Sequence, residues 1–337
     1  MSCQVKILAI ETSCDETAVA VVQEGQKVLA NIVSSQVKLH EQYGGVVPEV
    51  ASRAHAEIFN ILLEEVLKQA DVSWAEINAI AVTYGPGLIG ALLVGLSAAK
   101  TISFTKNIPL IGVNHMEGHI YANILENGKN SLTELPFPFI CLIVSGGHTQ
   151  IVYIPKEGTY EIVGQTQDDS VGEAFDKVAR VLELGYPVGP IIDKVSNEGN
   201  SQAIPFPKLY TEGGLNFSFS GIKTAVIHWI QKNGKENVAD IAASFQKTVV
   251  DSLVQKTIKA AKKKKVSRIF LAGGVSANTH LRQEMKNKAK EIGMKVYYPP
   301  LKYCTDNAAM IAAAAYPKLI KKEFSPLTIE AKANLML

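Results

Sequence analysis

LAIETSCDETAVAVVQEG, residues 8–25, and LIVSGGHTQIVYIPKEG, residues 142–158, share one design. Each is an apolar run, a small polar turn, a second apolar run and a Glu-Gly turn that leads into a third. Short apolar runs bounded by Gly, Ser, Asp and Thr have the composition of buried strands. Each stretch therefore reads as the opening of a three-stranded meander, at 6–10, 18–22 and 27–33 in the first copy. The two differ by one residue in the first turn. Either an internal duplication or two independent meanders would produce such a pair.

Outward from these stretches the apolar periodicity alternates between helix and strand. In the first half, helices are expected at 54–70, 87–104 and 115–125, and strands at 77–83 and 110–113. In the second half, helices are expected at 173–184, from 191, and at 222–229, 238–263, 278–292 and 307–321, with strands at 267–271 and 295–298. Glycine and proline at 185–190 mark a loop. Strands alternating with helices imply an α/β protein with mixed sheets. Two halves are expected, 1–134 and 135–306, parted at the polar loop 126–134 before Pro136 and Pro138, with 307–337 packing back on the first. Ligands in such a fold gather in the cleft where loops at strand ends converge.

The chain has 337 residues, 47% hydrophobic and 20% charged, enough to bury a core in each of two domains. A formal net charge of +2 is too small to mark a nucleic-acid binder by itself. Any RNA contact must come from a local basic patch or a partner protein. Cys3, Cys14, Cys141 and Cys304 form no C-x-x-C pair, which argues against a zinc ribbon or disulfide framework and fits a reducing cytoplasm. MSCQVKILAIETS enters a strand without a signal-peptide pattern, and Lys100 and Lys106 interrupt the longest apolar region, 88–113. A cytoplasmic protein with no membrane span is expected.

Several motifs read most simply as structure. GPGLIG, 85–90, has the spacing of a dinucleotide loop, but Ser103, Lys106 and Asn107 stand where the ribose-binding acid should be, so a nicotinamide cofactor is rejected. Ser220-Gly221-Ile222-Lys223 has S-x-x-K spacing without its companion motifs, and reads as a helix start with Ser220 as cap and Lys223 in solvent. The lysine run 262–265 reads as a solvated helix end.

Other stretches carry chemistry. Ser145-Gly146-Gly147-His148-Thr149 puts adjacent glycines at a strand turn, where exposed N–H groups suit phosphate or carboxylate. The corresponding turn of the first half carries Asp15 and Glu16, acids suited to act as base or metal partners. Gly273-Gly274-Val275-Ser276-Ala277-Asn278 is either a plain turn capped by Ser276 or Asn278, or a flat surface for adenine or ribose. Asp168, Asp169, Glu173 and Asp176 cluster at a helix start, where acids fit the dipole. Asp176, however, lies beyond the first turn and one turn from Glu173, so at least one of them is expected to face the cleft and meet ligand hydroxyls.

NHMEGHI, 114–120, sets His115 and His119 four residues apart. On a helix that overshoots one turn by about 40°, so both imidazoles share a face and can hold one metal ion. A third ligand must come from elsewhere. Asp306, in CTDNAAMIAAA, is the candidate, its other reading being an N-cap. The stretch is close to the protease motif H-E-x-x-H, but Glu117 lies two residues past His115, roughly 200° around the helix and off the shared face.

IETSCDET, YGGVVPEVASRAH, GPGLIGALLVG, NHMEGH, LIVSGGHTQ, DDSVGEAFDKVAR, NFSFSGIKTAV, GGVSANTHLR and YCTDNAAMIA follow one another along nearly the whole chain. In that order they resemble the bacterial tRNA N6-adenosine threonylcarbamoyltransferase family, formerly called O-sialoglycoprotein endopeptidases. The resemblance implies the actin, Hsp70 and sugar-kinase fold, two duplicated mixed-sheet halves around a central cleft. It implies transfer of the threonylcarbamoyl group from threonylcarbamoyl-AMP to N6 of the adenosine beside the anticodon, in tRNAs reading codons that begin with A.

It further implies that His115, His119 and Asp306 bind one divalent metal, Fe(2+) before Zn(2+). Ile143, Val144, Ser145, Gly146, Gly147, Asp176, Gly189, Asp193 and Asn278 match the family's substrate-binding positions. Val188 departs from the usual Y-P-G-G while leaving Gly189 in place. Implied partners are tRNA, a paralogous inactive homologue forming a heterodimer, and a small P-loop ATPase. Asp15 and Glu16 are the candidates for taking the proton from the acceptor amine. A small-molecule kinase or phosphohydrolase of the same superfamily, and a non-catalytic nucleotide-binding scaffold, are the alternatives.

Overall fold

The computed structural model describes residues 4–126, 134–185, 188–209 and 214–337, the side chains at 188–190 aside. Most of the loop expected at 126–134, and Tyr186-Pro187 before Val188, lie outside the described residues. Two compact units form: Met1–Leu135 with Pro299–Leu337, and Pro136–Tyr298.

The first unit opens on the antiparallel meander β1 (Lys6–Glu11), β2 (Glu16–Gln23) and β3 (Lys27–Ser35). Then come α1 (Val37–Glu41), α2 (Pro48–Ala70), β4 (Ala79–Gly85), α3 (Ile89–Lys106), β5 (Leu110–Asn114) and α4 (His115–Tyr121). β4 and β5 add in parallel, for a sheet order β3-β2-β1-β4-β5. Leu8 and Ile10 of β1 and Val19 and Val21 of β2 pack with Phe59 and Leu62 of α2 and Leu96 of α3. The short α1 escaped the periodicity reading because five residues are too few to show a face. α2 begins six residues before the expected start, since Pro48 in its first turn needs no N–H partner. α4 is shorter than expected and runs on as a 3₁₀ turn, Ala122–Ile124.

The second unit repeats this plan. β6 (Phe139–Val144), β7 (Thr149–Lys156) and β8 (Thr159–Gln165) form the meander. After α5 (Val171–Val181), α6 (Val188–Ser196), α7 (Ser220–Asn233) and α8 (Val238–Lys264) come β9 (Arg268–Ala272), α9 (Thr279–Glu291) and β10 (Lys295–Tyr297). The order β10-β9-β6-β7-β8, read from its other edge, is that of the first sheet strand for strand. A shared strand order is harder to reach by two independent meanders than by duplication. α6 starts at Val188, not 191, because Pro190 falls in its first turn.

The expected second half, ending at 306, instead ends at Tyr298, and residues 299–306 belong to the first unit. The reason is α10 (Ala308–Ile320), whose residues Ala308 to Ala315 are all buried, the helix packing against β1, β2 and α4. Small side chains let it lie close to the sheet. Tyr303 and Lys302 tie the approach to Glu126, at 2.9 and 2.7 Å. Asp306 is thereby delivered to the same unit as His115 and His119.

Candidate metal centre

β5 ends at Asn114, whose side chain accepts from the Met116 N–H at 2.8 Å and starts α4. The first residue of that helix is His115 and the fifth is His119, with ring centroids 4.7 Å apart. Gly118, between them, lets α10 approach: a Cβ there would stand 2.7 Å from Ile311 Cδ1. Asp306 precedes α10, but it is not the cap; Asn307 is, accepting from Met310 N–H at 3.0 Å. Asp306 is left free to turn toward α4. Its Oδ1 lies 3.4 Å from His115 Nε2 and 3.2 Å from His119 Nε2. One ligand atom from each of the three residues falls within 4.8 Å of the others.

The surroundings prepare these groups for a cation. His115 Nδ1 faces Glu11 Oε2 at 3.0 Å and Ser13 Oγ at 3.2 Å. A carboxylate on Nδ1 keeps the ring proton there and leaves the Nε2 lone pair for a metal. Glu11 is fully buried, and also accepts from Ser13 N–H and Thr83 Oγ1. Burial opposes its charge, but the His115 imidazole holds its carboxyl below the usual range. Burial likewise opposes the charge on Asp306, and His115 and His119 overcome it and hold that carboxyl far below its ordinary value. Burial pulls His115 down, yet Asp306 and Glu11 raise it well above 6.5. His119 is lowered by burial. Its Nδ1 is buried without a hydrogen-bond partner and its Nε2 meets only the Asp306 carboxylate, a costly state that ligation would relieve. Two imidazoles and one carboxylate suit Fe(2+) or Zn(2+), and leave positions open for a substrate.

Beside this group lies the acidic turn Cys14, Asp15 and Glu16. Burial, the Asp306 charge and a hydrogen bond to Asp15 push Glu16 up to about 10. Glu117 belongs to neither cluster: it is buried and paired with Lys318 Nζ of α10 at 2.7 Å.

In the second unit the Ser145 to Gly147 turn caps β6. Ser145 N–H donates to His148 O at 2.8 Å, and Ser170 Oγ donates to Gly146 O. Gly146 and Gly147 are exposed, with open space where a Cβ would point. Ile143 and Val144, in contrast, are fully buried strand residues. Gly273 has φ +84° and sits where any Cβ would strike Val144 O, so the turns after β6 and β9 lie side by side. Asn278, rather than Ser276, caps α9: its Oδ1 accepts from Leu281 N–H at 2.8 Å and its Nδ2 donates to Gln246 Oε1 at 2.7 Å. Asp193 accepts from Thr279 N–H and Oγ1, at 3.0 and 2.9 Å, joining α6 to the same turn. Asp176 is half-buried on α5, and burial raises its carboxyl pKa. Gly189 lies in the first turn of α6.

The other motifs resolve as structure. Ser220 is not a cap but the first residue of α7, and its Oγ donates to Asp168 Oδ2 at 2.8 Å. Asp168 also accepts from Ser218 Oγ and Phe219 N–H, while Asp169 and Glu173 pair with Lys177. Lys264 reaches Glu161 at 2.6 Å. In GPGLIG, Gly87 lies 2.5 Å, measured from an added Cβ, from Ser13 O and Gly90 equally close to Ser52 Oγ, so these glycines serve close packing. Glu11 escaped the sequence reading, although a charge ending the apolar run KILAIE was its signal.

A family model for tRNA N6-adenosine threonylcarbamoyltransferase matches residues 27–313. The tRNA N6-adenosine threonylcarbamoyltransferase of Clostridium novyi (strain NT) is 53% identical over 343 aligned residues, covering 100% of this chain and 99% of its own. That of Clostridium botulinum (strain 657 / Type Ba4) is 54% identical over 338, covering 99% and 98%. Among solved structures, the Acidaminococcus fermentans (R)-2-hydroxyglutaryl-CoA dehydratase component A aligns with a TM-score of 0.56 at 13% identity, over 94% of this chain and 99% of that one. HypF of T. kodakarensis gives 0.63 at 14% identity, over 95% of this chain and 48% of that one. At such identities these likenesses speak for the fold alone, the actin, Hsp70 and sugar-kinase type. With more than half of its residues shared along its whole length, the chain belongs to the tRNA N6-adenosine threonylcarbamoyltransferase family.

Proposed function

We propose that the chain carries out this transfer with His115, His119 and Asp306 holding one divalent metal, Fe(2+) before Zn(2+), and with Asp15 or Glu16 taking the proton. The bond formed joins adenosine N6 to the carbamoyl carbon of threonylcarbamoyl-AMP. The bond broken joins that carbon to the phosphate oxygen, so AMP leaves. AMP is a good leaving group, whereas an exocyclic adenine amine is a weak nucleophile. The residues must therefore orient the two reactants and accept the amine proton. A metal bound there would polarise the carbonyl under attack.

The observation that carries this reading is His119, buried with no hydrogen-bond partner on Nδ1 and only the Asp306 carboxylate, 3.2 Å away, facing Nε2. The acidic turn lies beside that group, and an approaching cation would return Glu16 to its charged, proton-accepting form. In the second unit, the exposed amides of Gly146 and Gly147 suit the phosphate of the adenylate. Asp176 suits its hydroxyls, Ile143 and Val144 hold the turn in place, and Asp193 and Asn278 order the neighbouring one, Asp193 from the helix whose first turn holds Gly189. Peptide hydrolysis is disfavoured because Glu117, the one acid within NHMEGHI, is neutralised by Lys318.

A protein partner is supported by exposed apolar side chains on α2 and α3, among them Ile61, Leu93 and Phe104. A paralogous inactive homologue and a small P-loop ATPase are the proposed partners, with tRNA as acceptor. None of the described helices is long and apolar enough to cross a membrane, which agrees with a proposed place in the cytoplasm. The test is a labelled-threonine transfer assay with the pathway partners, comparing wild type with His119→Ala and measuring bound metal in both. Loss of metal and transfer together is expected; transfer undiminished after metal loss would sink the metal role.

A further inference from the structure

The stretch YGGVVPEVASRAH and the helix before it have no part in the roles above, yet they close a buried polar chain. Thr17, His40 and His55 are fully buried and Gln36 nearly so. Val47 N–H donates to His40 Nδ1 at 3.3 Å. A backbone amide can only donate, so the proton of a neutral His40 sits on Nε2, which lies 3.1 Å from Gln36 Oε1. The other end of that carboxamide donates to Ala51 O and to His55 Nδ1, both at 3.3 Å. Thr17 Oγ1 lies 2.7 Å from the same Nδ1. His55 therefore carries its proton on Nε2, which donates to Cys14 O at 2.9 Å.

A fixed donor at one end and a fixed acceptor at the other leave the chain a single direction. Burial also lowers the His55 pKa and keeps the ring in the neutral form this direction needs. The far end meets the acidic turn twice, because Gln36 N–H itself donates to Asp15 O at 2.9 Å. Two consecutive peptide carbonyls, Cys14 and Asp15, are thus held by one Gln36–His55 pair. The near end adjoins a surface stretch with exposed Tyr43 and two glycines, Gly44 at φ +68° and both with open space around them.

We propose that His40, Gln36 and His55 are positioning residues, a relay through which the segment 42–47 sets the orientation of Asp15 and Glu16. The relay rests on the proposed role of those two acids in proton transfer. It touches neither substrate nor metal, so its loss misplaces the acids without emptying the metal group. Its two ends differ in exposure: the acidic turn, 14–16, is half-buried, whereas Gln42, Tyr43 and Gly44 lie at the surface, where an approaching group can meet them.

Three variants test this in the full chain with its partners. His55→Leu is expected to lower kcat about 100-fold, the scale of a misplaced catalytic group, with donor KM and bound metal unchanged. His55→Gln keeps a nitrogen donor toward Cys14 O and is expected to recover most of that loss. A separate readout is amide exchange at Gln36, whose N–H holds Asp15 O. It should quicken about tenfold in His55→Leu, as local opening becomes easier. Should His55→Leu fail to fold, Gln36→Met carries the same kinetic expectation, with exchange read at the same amide. Unchanged kcat in either relay variant, or His55→Gln as slow as His55→Leu, would overturn the relay. If Asp15→Asn and Glu16→Gln both keep full transfer, the proton-transfer reading fails instead, and Gln36 exchange alone then decides whether the coupling exists.

Discussion

A single imidazole, His115, has its chemistry chosen by two carboxylates that approach it from opposite sides. Glu11 holds Nδ1 and Asp306 faces Nε2. Removing the first without touching the second separates orientation from ligation. Glu11→Gln is expected to weaken Zn(2+) or Co(2+) binding about 10- to 100-fold in a chelator competition, with the far-ultraviolet circular dichroism unchanged. The same pair of acids gives the metal-free protein a pH dependence. With its folded pKa raised, His115 contributes stability that is complete below the ordinary histidine value and is lost as pH rises through the raised one. A metal competes with that proton, so affinity should climb with pH beyond the usual histidine range. Calorimetry near pH 7.5 should find about two protons released per metal bound, one from His115 and one from Glu16, because His119 is already neutral and Asp306 already charged. No release would mean that His115 is not a ligand.

At the scale of elements, α4 and α10 meet through a glycine and an ion pair. Gly118→Val would press on Ile311 and Met310, whose ends can yield only partly. It is expected to cost about 1–3 kcal/mol in urea unfolding and to weaken metal binding as Asp306 moves away. Lys318→Met would leave Glu117 buried without its partner. Since Lys318 is 26% exposed, solvent screens part of the loss, and about 2–3 kcal/mol is expected rather than the full cost of a buried pair. Adding Glu117→Gln should recover much of it; a double variant no better than the single one would remove the ion pair from the account. Element positions were largely legible in the sequence, because buried strands and amphipathic helices write their periods into it. Their ends were less so. The starts of α2 and α6 turned on Pro48 and Pro190, which are as compatible with loops as with first helical turns.

At the scale of the molecule, the first unit is discontinuous, and its sheet is covered on one face by a helix from the end of the chain. Residues 136–298 alone should fold. Residues 1–135 alone should not, because β1 and β2 would expose the surface that α10 buries. Joined directly to 299–337, they should fold and bind one zinc ion through His115, His119 and Asp306, as circular dichroism and chelator competition would show. Equal zinc affinity in residues 1–135 alone would place the third ligand elsewhere. The sequence by itself determined the repeated strand–turn–strand plan, the α/β class, the family, and the pairing of His115 with His119, since each depends on residues close together in the chain. Only the tertiary structure decided that residues 299–306 leave the second half, that Asn307 and not Asp306 caps α10, and that Glu11 stands behind His115. It also decided that Gln36, His40 and His55 converge on the acidic turn. The Asn307 cap and the Gln36–His40 bond are local, decided by side-chain geometry that no apolar period records. The other contacts join residues far apart in the chain, which only the packing of helices on sheets brings together.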